Sequence, residues 1–254
     1  MNMKSAFHFA IISAAAMSII AHADSLPIDP DAKFSAGMSV THLSSAYDAD
    51  AQTFVLPQAF YDNNRVYIEG AEAGIYPYKD NRHHLRAGIS YDGRNFDPED
   101  AHGSLAQLNE RKSSTLAHIS YMYLSPIGGL RAKATTDLLD KHGGQTLSLA
   151  HVSKFTKDDW TIYPSFGATW RSEDYNNYYY GVSDAESIRS GVAAYQAESS
   201  WSPFVSATVN YQATPRISVF INQNIEWLSD TQKNSPMTSD DIESRTRVGF
   251  NYQF

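Results

Sequence analysis

The sequence predicts an all-β fold, an antiparallel up-and-down transmembrane β-barrel of twelve strands with ten as the alternative, preceded by a cleaved signal peptide. Three observations carry that expectation. Segments of about ten residues alternate apolar and polar side chains, which is the length and period of a tilted strand crossing a bilayer. After Ala23 no stretch approaches about eighteen consecutive apolar residues, which excludes an ordinary spanning helix. Aromatic residues make up 13% of a chain whose mean hydropathy is negative, a mixture that suits strands apolar on one face only.

The first element is a targeting segment. A basic start at Lys4 leads into an apolar run from Ala6 to Ile20, and Ala21-His22-Ala23 supplies the small-x-small pattern of signal peptidase cleavage. The run is shorter than the roughly twenty residues of a spanning helix, so the reading is residues 1–23 as signal peptide and 24–254 as a single barrel domain.

Between Lys33 and Tyr76 the alternation is interrupted by Pro57 and Gly70, and the region reads as one crossing or as three. Downstream the pattern is cleaner. Leu85, Ala87, Ile89 and Tyr91 alternate with Arg86, Gly88, Ser90 and Asp92; Leu130, Ala132, Ala134, Thr136 and Leu138 alternate with Arg131, Lys133, Thr135 and Asp137. Trp160, Ile162, Pro164, Phe166, Ala168 and Trp170 share one face of the next strand. Its two tryptophans stand about 33 Å apart along the strand, or about 25 Å along the membrane normal, the spacing of two aromatic girdles, to which Trp227 also belongs.

Val205 to Tyr211 and Ile217 to Trp227 continue the alternation, joined by a tight turn at Thr214-Pro215-Arg216. In the last strand Thr246, Val248, Phe250, Tyr252 and Phe254 oppose Arg245, Arg247, Gly249, Asn251 and Gln253. The terminal aromatic pattern of Val248, Phe250, Tyr252 and Phe254 resembles the signal by which outer-membrane assembly machinery recognises a closing strand. About eleven candidate strands are counted, and because bacterial single-chain barrels use even numbers, twelve or ten follows.

Link lengths orient the chain. Connections near 214–215, 156–158 and 125–128 are short, and those near 229–241, 172–200 and 93–113 are long, with His142-Gly143-Gly144 a brief exception on the long side. Barrels of the outer membrane have short periplasmic turns and longer external loops, so the C-terminus lies in the periplasm.

Composition restricts the chemistry. Asp and Glu total 28 against 20 Lys and Arg, and loss of Lys4 with the signal makes the mature balance −9, a poor match for nucleic acid. There are no cysteines, and the histidines of the mature chain show no metal-ligand spacing, so neither a metal nor a cofactor is expected. Charges on the inward face, namely Arg86, Arg131, Lys133, Asp137, Glu226, Arg245 and Arg247, would be costly in a solid core and point to a wet or ion-paired lumen. They either line a passive diffusion path or pair and plug it. His118 and Ser120 fall on one strand face and Asp48, Asp50 and Asp92 near external loops, yet no nucleophile motif accompanies them, so no catalytic residue is assigned. The Tyr- and Asn-rich stretch from Tyr175 to Tyr180 suits either surface adhesion or packing over the barrel mouth.

Tyr178-Tyr179-Tyr180-Gly181-Val182, Ala194-Tyr195 and Asn234-Ser235-Pro236 resemble the MipA/OmpV family of outer-membrane proteins, as do Ser125 to Ala132, His142-Gly143-Gly144 and Val248 to Phe254. The family pattern usually has an aspartate where this chain has Asn234. The resemblance implies a barrel without enzymatic activity in the outer membrane, acting as a scaffold that joins a lytic murein transglycosylase to a penicillin-binding protein. As an outer-membrane barrel with that closing strand, the chain is also expected to contact membrane lipid, lipopolysaccharide and the barrel-assembly machinery; adhesion through the external loops and passive diffusion are the alternatives.

Overall fold

The computed structural model describes residues 25–254, so the cleavage residues Ala21 and Ala23 lie outside the described part. The strands are β1 (Ser35–Ser44), β2 (Gln52–Asp62), β3 (Val66–Gly70), β4 (Glu72–Lys79), β5 (His83–Tyr91), β6 (Thr115–Ser125) and β7 (Gly128–Asp137). They continue as β8 (Gln145–Val152), β9 (Phe155–Lys157), β10 (Trp160–Arg171), β11 (Ser200–Thr214), β12 (Ile217–Trp227) and β13 (Ile242–Gln253). Chain neighbours pair antiparallel, except that β8 and β9 do not pair with each other but both flank β10 as one stave, and β13 returns to β1, giving a closed barrel of twelve staves.

The uncertain region from Lys33 to Tyr76 holds three strands and most of a fourth. The one that alternation hides is β3, whose five residues do not cross the membrane. Gly70, at φ +65°, turns the chain back into β4 in the left-handed conformation that glycine adopts without penalty. Links on the external side run over 45–51, 92–114, 138–144, 172–199 and 228–241, and opposite turns over 63–65, 80–82, 126–127, 158–159 and 215–216.

Polarity is inverted relative to a soluble protein. Val40, Val55, Ile89, Phe166, Ile221 and Val248 are exposed on the outer face, whereas Ser39, Thr41, Gln58, His118, Ser120 and Thr135 are buried on the inner one. A barrel in lipid needs this arrangement, since its outer surface meets hydrocarbon.

The inner wall carries one cross-brace. Tyr67 on β3, Gly74 on β4, Gly88 on β5 and His118 on β6 stand opposite one another in sequence across four strands. The Tyr67 hydroxyl reaches over both glycines to hydrogen-bond His118 Nε2 at 2.6 Å and Glu72 Oε1 at 3.1 Å. Glu72 also accepts from Lys133. Neither glycine has room for a side chain, because a Cβ on either would fall 2.2 Å from a carbonyl oxygen of the neighbouring strand. Gly88→Val is therefore expected to cost about 1–3 kcal/mol or to block folding, seen as a lower urea midpoint or loss of the heat-modifiable gel band. Ala87→Val, one residue along on the lipid face, should leave both unchanged.

Candidate functional site

The external mouth is filled by its own loops. After β10 the chain enters helix α1 (Glu173–Tyr180), with Ser172 as N-cap accepting from the Tyr175 N–H, then helix α2 (Asp184–Ser190), closed at its start by a Ser183/Glu186 capping box. Short α3 (Asp230–Lys233) lies in the last loop. Tyr175, Tyr179 and Tyr180 of α1 pack with Tyr47, Phe96, Leu105, Leu108, Val182, Leu228 and Met237, each no more than 5% exposed. This cluster, drawn from four loops, is the apolar core among the described residues.

A buried ion network floors the plug. Arg94 bonds Glu243 at 2.8 Å and the Tyr180 hydroxyl at 2.5 Å, and stands 3.7 Å from Glu226; Arg171 bonds Glu226 at 2.8 Å. Asp92 accepts from the hydroxyls of Tyr179 at 2.5 Å and Tyr175 at 3.3 Å. Burial pushes the Tyr180 phenol up to about 12, with Arg94 opposing, and Tyr175 and Tyr179 are raised by burial and by Asp92. The plug therefore carries neutral phenols and paired charges.

Its outer layer is pinned by Glu186. Burial alone would raise this carboxyl, but the Asn109 N–H, the Ser183 hydroxyl and N–H, and Arg111 at 2.7 Å outweigh it and hold the group at about 2. Ser235 of the Asn-Ser-Pro motif donates to the Tyr180 carbonyl at 2.6 Å, while Asn234 caps α3 through its backbone. The motif thus ties the last loop to the tyrosine run.

Beneath the plug lies a cavity of about 1110 Å³ whose lining runs from Lys33, Ser218 and Gln253 at the periplasmic end up to Asp92 and Leu116. Of the seven charges expected in the lumen, Arg86, Arg131, Lys133 and Arg247 line it. Glu226 belongs instead to the network under the plug, and Arg245 reaches toward the Gly93 carbonyl at 3.5 Å. Asp137 was expected to face the cations; it is the last residue of β7 and is taken up by the Ser114 hydroxyl and the backbone N–H groups of Leu139, His142 and Gly143. Those amides are its immediate chain neighbours, and they outcompete cations placed lower in the wall.

His118 is occupied by Tyr67 and Glu72, and among the described residues no hydrogen bond joins it to Ser120. Asp48 and Asp50 bind His102, and Asp92 binds tyrosines, so these carboxylates serve loop contacts. Trp160 lies at the periplasmic end of β10 beside Tyr211, and Trp170 at the outer end opposite Trp201; Trp227 closes β12 at the same end. Trp201 escaped the sequence reading although it too is exposed on the outer face. Val248 and Phe250 are exposed on the outer face of β13 and Phe254 just past its end, with Tyr252 half-buried between them.

A closed twelve-stave barrel, apolar without and polar within, defines an outer-membrane β-barrel protein. Within that class the chain belongs to the MltA-interacting protein MipA family, whose model matches residues 36–254. It is 30% identical over 226 residues to the MltA-interacting protein of Escherichia coli K12, covering 88% of this chain and 91% of that one. A 24 kDa outer membrane protein of Pasteurella multocida is 29% identical over 98 residues, 38% of each chain. Among solved structures, an outer membrane channel from Pseudomonas putida F1 superposes with a TM-score of 0.46 at 11% identity, covering 91% of this chain and 97% of that one.

Two outcomes follow from the plug. Glu226→Ala strands Arg171 and leaves Arg94 with Glu243 as its one carboxylate, so it should cost about 3–5 kcal/mol, read as a lower urea midpoint and faster proteolysis in 172–199. Because the folded Glu186 value lies below its ordinary 4.5, its contribution is present above pH 4.5 and fades as pH falls toward 2. Loop proteolysis should therefore rise over that window in the native chain and change less in Glu186→Gln.

Proposed function

We propose that this chain is a non-enzymatic scaffold of the outer membrane that holds cell-wall machinery, first of all a lytic transglycosylase, at the periplasmic face. The observation that carries the reading is the direction of access: packed loops fill the external mouth, whereas the cavity below reaches the periplasmic end. The name of the Escherichia coli relative, an MltA-interacting protein, supports the same class of partner. A link onward to a penicillin-binding protein is part of the proposal and rests on the family resemblance.

The inner turns span only two or three residues, too few for the roughly 800 Å² per partner of a standard interface. The segment preceding β1 supplements them. Leu26 N–H bonds the Lys79 carbonyl at 2.7 Å, Asp29 N–H bonds the Asn63 carbonyl at 3.0 Å, and the Asn64 amide bonds the Pro27 carbonyl at 3.0 Å, so this strap is fastened across the periplasmic rim. Exposed Ile28, Ile127 and Phe254 give that rim apolar anchors of the kind that dominate interfaces. In this reading Trp160 with Tyr211 seats the barrel at the inner interface, Trp170, Trp201 and Trp227 seat it at the outer one, and the terminal aromatics of β13 serve assembly.

The test is capture of a purified periplasmic lytic transglycosylase by the refolded chain in detergent, alongside single-channel conductance in a planar bilayer. Capture that falls at least fivefold in Ile28→Asp and Ile127→Asp, with heat-modifiable migration intact, and a folded but silent barrel are expected. Absence of capture would sink the scaffold, and steady salt-proportional conductance would replace it with a pore.

A further inference from the structure

The barrel wall is incomplete on its external half. β2 has eleven residues and β3 five, and the two pair only through Ala59–Asp62. Gln52–Gln58 therefore have β1 on one side and no strand on the other. Across the gap, β4 and β5 stay paired up to Glu72 and Ser90, and Tyr91 N–H bonds the Ala71 carbonyl at 3.2 Å. Two strands stop at the Gly70-Ala71 turn, which leaves about three strand spacings, roughly 14 Å, between β2 and β5 above it. A crosspiece bounds the notch on top: Asp50 N–H bonds the Asp100 carbonyl at 2.9 Å, and the Gln52 amide bonds Asp100 at 2.8 Å.

The notch faces lipid, since Val55 and Tyr91 on its two sides are more than half exposed on the outer face. Alternate residues of Gln52–Gln58 turn backbone N–H and C=O toward it, where hydrocarbon offers no partner. Pro57, which lacks an N–H, fits such an edge. Polar matter must meet the remaining groups, and the interior provides a way to it: the cavity that contains Arg247 and Lys133 is also lined by Ile68, Gly70 and Tyr91 at the sill of the notch.

The inner wall beside β2 points to the kind of group that enters. Across β13, β1 and β2, Arg247, Thr41 and Phe54 stand directly opposite one another, and Ser39 stands opposite Leu56. Thr41 Oγ1 and Ser39 Oγ, in residues 1% and 2% exposed, and Arg247 Nε are buried with no hydrogen-bond partner among the described residues. No carboxylate among the described residues pairs with Arg247. Two hydroxyls and an unpaired guanidinium suit a phosphate, and Phe54 and Leu56 beside them form an apolar margin on the side of the notch.

We infer that the notch between β2 and β5 is a lateral port through which the phosphorylated head of an outer-leaflet glycolipid reaches Arg247, Thr41 and Ser39 while its acyl chains stay in the bilayer. The external level of the notch selects the outer leaflet, whose phosphorylated glycolipid is lipid A.

A photoreactive benzoylphenylalanine at Phe54, compared with one at inward-facing Phe220 on β12, tests the port in nanodiscs of phosphatidylcholine alone or with phosphatidylglycerol or lipid A. The expected result is a lipid A adduct at position 54 at least fivefold above position 220 and above either phospholipid, falling at least fivefold in Arg247→Gln with migration unchanged. Should that variant not fold, Thr41→Val reads the same site. Equal labelling at 54 and 220 would overturn the port. Equal labelling by all lipids, or indifference to both variants, would overturn the head-group site, a phosphatidylglycerol adduct as strong as that of lipid A would overturn the glycolipid, and a polypeptide adduct would put a partner strand in the notch instead.

Discussion

In hydrocarbon a peptide N–H or C=O finds no water, so each must be bonded within the protein or met by a polar group brought to it. For a sheet this means closure, and here closure is the β1–β13 seam, in register from Ser35 opposite Gln253 to Ser44 opposite Ser244. The alternation of side chains follows from that seam, because once the sheet is a cylinder every second residue faces lipid and the rest face a common interior. The interior then holds arginines, lysine and carboxylates that no surrounding solvent disperses. Their pairing decides the barrel's architecture from within: Glu72 gathers Tyr67, His118 and Lys133, and Glu226 gathers Arg94 and Arg171.

The second of these clusters explains why the loops settle as they do. Arg94 comes from the loop after β5, Glu226 and Glu243 from β12 and β13, and Tyr180 from the loop after β10. Charges on strand ends thus recruit loop residues, and an apolar cluster condenses above them where a soluble protein would have its center. Tyrosine serves both layers, with a ring for the cluster and a hydroxyl for Asp92, Arg94 or Lys112 below and beside it. A run rich in tyrosine, readable as a sticky external surface, is spent largely on the inside of the plug.

Most of the wall was legible because its cause is local. Residues 85–91, 130–138, 160–170, 205–211 and 245–254 alternate in the pattern of a barrel stave, 217–227 does so apart from Phe220 and Gln223, and the long and short links between them give the orientation. What alternation cannot show is a strand too short to alternate: β3 has five residues, and Pro57 and Gly70, which broke the reading, mark an unpaired edge and a left-handed turn. The destination of charges was legible by face but not by partner, as Asp137 and Glu226 illustrate. Arg94 and Glu243, 149 residues apart, share no local signal that would have joined them. The family motif was visible as a string, but its physical meaning, Ser235 held to the carbonyl of Tyr180, is a contact between distant loops.

The row of Tyr67, Gly74, Gly88 and His118 runs immediately below the gap in the wall. A sheet cut at its rim is like a notched plate, in which stress concentrates at the root of the cut and a tear advances between the nearest staves. Here the root is the turn at Gly70-Ala71, and the staves most at risk are those tied by a hydrogen bond lying across the path of the tear rather than along it. Side-chain bonds directed around the circumference act as a hoop at that depth. The barrel can thereby tolerate an interrupted wall above while the wall below stays a continuous ring, and the same pair of glycines that denies the sheet two side chains is what lets the hoop lie flat.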